Sequence, residues 1–123
     1  PERQIMRFSL DQNGWPSSNP EVFIDLQETN LNPDGAVVDL SGYLWSAQWG
    51  ASRVARYDRG GSFVSEVKFS AKQISCPALG GKNMSTLFAT SASVDLEDAK
   101  PNDGKTFIID VDCVGQKEHR VRI

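Results

Sequence analysis

Cysteine is scarce in this chain, and the two present, Cys76 and Cys113, stand far apart. That spacing suits neither a disulfide framework nor the closely spaced pairs of a zinc site, so both are expected as reduced thiols of a cytoplasmic protein. Histidine is scarcer still, His119 being the only one. No Gly-x-Ser-x-Gly elbow occurs either, which argues against a serine hydrolase built on this chain alone. Long apolar runs are missing: Phe107-Ile108-Ile109 is typical of the longest. A bilayer span needs about 20 apolar residues, so no membrane span is expected. Pro1 to Arg7 carries no basic-then-apolar leader, and a chain beginning at Pro1 leaves a removed leader open. Positive charge is also short, with 13 Lys and Arg against 16 Asp and Glu and a net charge of -3. The densest cationic group, Lys117, His119, Arg120 and Arg122, reads as a solvated strand end, not as the basic stripe of a nucleic-acid binder. Helical periodicity with caps is absent, and Leu96 to Lys100 makes a single turn at most.

What is present is a strand pattern. The 123 residues, 39% of them hydrophobic, make one small domain or a piece of a larger one. Gln4 to Leu10 alternates, with Met6, Phe8 and Leu10 on one face. Further strands are expected at Glu21–Asp25, Ala36–Leu40, Tyr43–Trp49, Arg53–Asp58, Ser62–Phe69, Ile74–Leu79, Thr86–Ser91, Thr106–Val111 and Arg120–Ile123. Asp11–Gly14, Asn32–Gly35, Ser41–Gly42 and Gly60–Gly61 read as turns, and Ser93–Asp103 as a polar loop.

A weak repeat runs through these strands. Gln4-Ile5-Met6-Arg7-Phe8 resembles Arg53-Val54-Ala55-Arg56-Tyr57, and Phe107 to Val111 occupies the corresponding place further on. Between them, Tyr43 to Ala47 answers Thr86 to Thr90. A period of about 50 residues with about four strands per repeat is the signature of propeller blades. The chain has room for roughly two and a half blades where closed propellers have about 4–8, so it is too short to close a ring by itself. A small β-sandwich with similar hairpins is the competing architecture.

Pro33-Asp34-Gly35-Ala36-Val37-Val38-Asp39, Gly42, Leu44-Trp45-Ser46-Ala47 and Arg53-Val54-Ala55-Arg56-Tyr57-Asp58 carry a resemblance to a known family. It continues through Ser75 to Gly81, Leu87 to Ala92, Gly104 to Phe107 and Val114-Gly115. The chain resembles the family of senescence marker protein (regucalcin), gluconolactonase and related sugar lactonases. It departs at Leu79, where an aromatic is usual before Gly-Gly, and at Ile74, in place of a common proline.

The resemblance implies an all-β fold: antiparallel four-stranded blades forming the C-terminal part, about 2.5 blades, of a six-bladed β-propeller. Residues 1–123 would then be a single incomplete domain. Its partners would be the missing N-terminal half or further copies of the chain. It also implies a divalent metal in the central channel, Ca²⁺ first, with Zn²⁺, Mg²⁺ or Mn²⁺ as alternatives. The family's ligands are a Glu, an Asn and the Asp of the Pro-Asp-Gly motif. Only the last falls in this chain, at Asp34; the others would lie upstream of Pro1.

Asp34 is therefore the candidate metal ligand and catalytic residue. A hard cation takes oxygen ligands, and an Asp beside Gly at the mouth of an inner strand offers one. The implied reaction is metal-assisted hydrolysis of a sugar lactone, in which the cation polarises the carbonyl and a water attacks. Asp34 would hold the metal and take the water's proton, although coordination weakens a carboxylate as a base. From the bare pattern alone, Pro33-Asp34-Gly35 reads as a plain turn, and it is the resemblance that makes Asp34 a ligand.

In the repeat register Ser75 and Cys76 stand where Asp34 stands one blade earlier, and they are candidates for lining a sugar pocket. Strand packing is their alternative role. Asp39 is expected to cap a turn, Trp45 and Trp49 to share one packed face, and Trp15 to plug its own loop. Two other functions stay open: a non-enzymatic calcium- or ligand-binding propeller module, and a fragment that is inactive alone.

Overall fold

The computed structural model describes residues 2–117. The expected last strand, Arg120–Ile123, and His119 lie outside them. Within them the chain is all β. Nine strands form three successive antiparallel sheets, and no helix occurs among the described residues. The first sheet pairs β1 (Gln4–Arg7) with β2 (Glu21–Asp25). The second runs in the order β3 (Asn32–Val38), β4 (Leu44–Trp49), β5 (Arg53–Tyr57), β6 (Phe63–Lys68). The third pairs β7 (Gln73–Gly80), β8 (Thr86–Ala92) and β9 (Thr106–Asp110). Within each sheet every strand pairs with the next in sequence, so every connection there is a hairpin or a loop returning to the adjacent strand.

The sheets stack through two apolar layers. One holds Ile24, Leu26, Ala55 and Tyr57, with Ile5, Phe23, Leu31 and Leu44 packed on it, between the first and second sheets. The other holds Trp45, Ala47, Val54, Ala71, Ile74, Leu79, Leu87 and Ala89 between the second and third. Fully burying a side chain such as Ile74 or Leu87 contributes about 1.5–3 kcal/mol. The second sheet is covered on both faces, which explains β4. Leu44 turns to one layer, Trp45 and Ala47 to the other, and the strand reads as an unbroken buried run instead of an alternating one.

The hairpin ends are tied by repeated aspartates. Asp11, Asp39 and Asp58 each accept, through Oδ1, backbone N–H groups two and four residues on, at 2.8–3.0 Å. The segment after β9 straps the second and third sheets together. Leu40 N–H donates to Val114 O at 2.8 Å, and Gly115 N–H donates to Met84 O at 2.7 Å.

Four features differ from the sequence pattern. Asn32–Gly35 is the start of β3, not a turn, because Asn32 pairs with Trp49 and Pro33 with Gln48, Asp34 and Gly35 following in a bulge of the same strand. Met6, Phe8 and Leu10 do not make a buried face: they are 42%, 48% and 60% exposed, and the strand ends at Arg7. Trp15 is 69% exposed and plugs nothing. The repeat at β9 is one residue off. Val54 faces Ala47 across its ladder, and Thr90, the counterpart of Ala47, faces Thr106 and not Phe107.

Candidate functional site

β3 and β7 are the first strands of consecutive sheets, and they lie against one another. Each carries a bulge at the same place. In β3 the register slips between Pro33, opposite Gln48, and Ala36, opposite Ser46, so Asp34 and Gly35 share a gap that fits one residue. In β7 it slips between Ile74, opposite Ser91, and Cys76, opposite Thr90, leaving Ser75 as the extra residue. Counting from the matching pairs Val38–Leu44 and Leu79–Leu87, Asp34 and Ser75 occupy equivalent positions.

Gly35 sits here for a steric reason. Its φ is not positive, so the backbone asks nothing of glycine. A Cβ at this position, however, would lie 2.7 Å from Cys76 Sγ, 2.8 Å from Ser75 O and 2.9 Å from Cys76 Cα. The missing side chain lets β7 close on β3 and brings Ser75 and Cys76 beside the Asp34 bulge.

Asp34 is exposed. No hydrogen bond or ion pair to its carboxylate occurs among the described residues. Ser75 is half-buried, and its hydroxyl lies 2.8 Å from Thr90 Oγ1. Thr90 Oγ1 also donates to Cys76 O at 3.3 Å. Cys76 is exposed and both cysteines are free thiols. No three His, Cys, Asp or Glu side chains gather to hold a metal ion among the described residues. The chain's own donor set thus fits one carboxylate of a hard cation's shell and not the whole shell.

Asp39 is quite different. It is fully buried, Oδ1 accepting the N–H groups of Ser41 and Tyr43, and Oδ2 accepting Trp45 Nε1–H at 3.1 Å and Arg56 at 2.8 Å. Burial pushes its pKa up, but the bonds from Trp45, Tyr43 and Arg56, with the charge of Arg56, outweigh that and hold it below the ordinary carboxylate value. Arg56 lies over the Tyr43 ring at 4.4 Å and near the Trp45 ring at 5.1 Å. This is a structural lock with no coordination left for a metal. It confirms Asp39 as a turn cap and Trp45 as a packed residue. Cys113 lies near it, its thiol pushed up by burial and then by the negative charge of Asp39.

Two features of this region were not visible in the residue pattern. One is Thr90, whose role depends on its pairing opposite Cys76. The other is a polar cleft of about 640 Å³ at the end where β3 and β7 begin, lined by Ser52, Ser70, Lys72, Lys100 and the 95–98 loop. Gln73 pins that loop, exchanging two hydrogen bonds with the backbone of Val94. The only signal was the polarity of Ser93–Asp103.

These features define a class: an all-β protein of stacked antiparallel sheets, repeated in sequence, with a bulged first strand that presents a polar residue in each of two consecutive sheets. More particularly, the chain belongs to the SMP-30/gluconolactonase/LRE-like family, whose model matches residues 1–93. It is 30% identical to the pentonolactonase XacC of Haloferax volcanii over 96% of this chain and 43% of that protein. It is 41% identical to the L-arabinolactonase of Azospirillum brasilense over 69% of this chain and 28% of the relative. The crystal structure of regucalcin from Agrobacterium tumefaciens, described as a calcium-binding protein, superposes with a TM-score of 0.93. It is 36% identical, with 99% of this chain and 43% of that one covered. The chain spans less than half the length of these curated relatives.

Proposed function

We propose that the native protein carrying this chain hydrolyses a sugar lactone, an aldonolactone by class, and that Asp34 supplies one carboxylate ligand to a divalent cation. Asp34 carries the proposal: an exposed carboxylate with no partner among the described residues, held on a bulge against a second bulged strand. Relatives named as lactonases support the reaction class. Regucalcin, described as calcium-binding, supports the cation, with Ca²⁺ first and Zn²⁺, Mg²⁺ or Mn²⁺ as alternatives.

In this reading residues 1–123 are one incomplete domain, the C-terminal portion of a six-bladed propeller in the cytoplasm. An N-terminal half or further copies complete the ring and supply the remaining ligands, so the chain alone is inactive. The bound cation would polarise the lactone carbonyl and stabilise the oxyanion that forms when water attacks. Asp34 would keep its place in the ligand shell, take the proton of the attacking water and return it to the ring oxygen as the lactone C–O bond breaks to give the open aldonic acid.

The test is substitution of Asp34 in the native protein. Asp34→Ala should lower both metal affinity and lactone turnover by more than about 100-fold, since even outer-shell partners of a metal are worth roughly 10–100-fold. Asp34→Asn keeps an oxygen ligand but removes the base, so it should retain part of the metal affinity while losing turnover. An Asp34→Ala protein that still binds metal and turns over lactone would overturn the assignment. The second reading is a non-enzymatic calcium-binding module, favoured by the description of the Agrobacterium protein. It predicts metal binding lost with Asp34 and no hydrolysis of any aldonolactone by the native protein.

A further inference from the structure

We infer that Ser75, its proton committed to Thr90, is a specificity-determining acceptor that recognises a substrate hydroxyl. The inference rests on the sugar-lactone reading above and names what its β7 wall selects.

A threonine hydroxyl has one proton and two lone pairs. Thr90 Oγ1 lies 3.3 Å from Cys76 O, which can only accept, and 2.8 Å from Ser75 Oγ, so both contacts are hydrogen bonds only when the Thr90 proton goes to Cys76 O. The contact with Ser75 Oγ must then be made with the Ser75 proton. Ser75 is left with lone pairs and no proton to offer, so it accepts and does not donate. The arrangement is specific to this sheet. At the position in β4 equivalent to Thr90 stands Ala47, which has no hydroxyl, so Asp34 has no such anchor in its own sheet. One blade position thus presents a free carboxylate and the next an oriented neutral oxygen. The carboxylate is the one assigned to the cation, so Ser75, on the strand that closes against Gly35, is the acceptor left for a substrate hydroxyl.

Such a wall complements O–H groups. It discriminates against a lactone that lacks the facing hydroxyl, and against one that carries a phosphate, sulfonate or O-methyl group there, because these offer no proton. Ser75 touches the substrate in this scheme. Thr90 is a positioning residue that acts through it.

The experiment measures kcat and KM of the native protein for an aldonolactone and for its singly deoxygenated forms. One deoxy form should show KM raised about 3- to 10-fold, the worth of one neutral hydrogen bond, with kcat little changed. Ser75→Ala should erase that difference for the same hydroxyl and leave the other deoxy forms as they were. Thr90→Val frees the Ser75 proton and should reduce the difference, while Thr90→Ser should restore it. A merely structural Thr90 would lower stability or kcat without touching one hydroxyl's discrimination. An unchanged KM pattern in Ser75→Ala and Thr90→Val overturns the inference. If the native protein hydrolyses no lactone, the function reading fails separately. Ligand-observed NMR with glucitol and its deoxy forms then tests the wall alone. Glucitol binding that weakens in Ser75→Ala upholds the inference, and absent or unchanged binding overturns it.

Discussion

Single residues carry the contrast between the two aspartates. Asp34 and Asp39 stand five positions apart in one motif, and both precede a glycine turn or bulge. Asp39 is sealed by four donors, one of them the charged Arg56. Asp34 has none among the described residues and is exposed. The depressed pKa of Asp39 makes it a stability element: its contribution is complete above the unfolded-state value of about 4 and is lost as pH falls through the lower folded-state value. Stability should therefore be level from pH 7 to about 5 and decline below about 4. Asp39→Asn should flatten that acid limb and cost about 3 kcal/mol at pH 7, because Arg56 loses its partner inside the protein. Chemical denaturation across pH reads both effects. An unaltered acid limb in Asp39→Asn would show that other carboxylates dominate it.

Among the elements, β3 and β7 decide the site. The bulge re-aims a side chain without ending the strand, which suits an inner strand that must hold a ligand residue and still pair along its length. Gly35 is what lets the two bulges meet. Gly35→Ala should destabilise by about 1–3 kcal/mol, since two of the three atoms that its Cβ meets belong to the β7 backbone and cannot rotate away. Gly50→Ala is the contrast: nothing lies within 4 Å there, and only its φ of 81° costs, about 1 kcal/mol. Thermal melts of the two variants should place Gly35→Ala lower, and the reverse order would remove the steric argument. The same elements show where residue patterns mislead. Asn-Pro-Asp-Gly has the composition of a turn, and only its pairing with Gln48 and Trp49 makes it a strand. At β9, a one-residue slip changes which face each side chain takes: Phe107 pairs with Ala89 and not Thr90, and it packs on the layer between the second and third sheets.

For the whole molecule, the open ends matter. The layers between sheets are well packed, but the outermost surfaces are not. Ile108 is 68% exposed on the outer face of β9, and Met6 and Val22 are 42% and 47% exposed on the first sheet. β1 and β9, like the edge strands β2, β3, β6 and β7, also have one unpaired edge each among the described residues. Exposed edges and apolar faces promote association. The purified 123-residue chain should show a denatured mass near 13.5 kDa and a native mass several-fold larger. Ile108→Lys should shift it toward the monomer. A wild-type chain that is monomeric by light scattering would show that these surfaces are tolerated in water.

The sequence by itself determined the approximate places of the nine described strands, the all-β class and the likeness of β4 to β8, and it singled out Asp34. These follow from local rules: alternation, turn chemistry, and a motif whose residues are contiguous. It also determined Asp39 as a cap, because an Asx turn closes within four residues. Tertiary structure alone decided that Asp34 has no partner among the described residues while Asp39 is locked, that Gly35 is a contact point and not a turn, and that Thr90 comes within hydrogen-bond reach of the Ser75 hydroxyl. Each of these depends on a partner strand or the neighbouring sheet, reached across a register that no local pattern encodes. A single-residue shift in that register reverses which face a side chain takes. The chemistry of the site is therefore written in residues but placed by pairing.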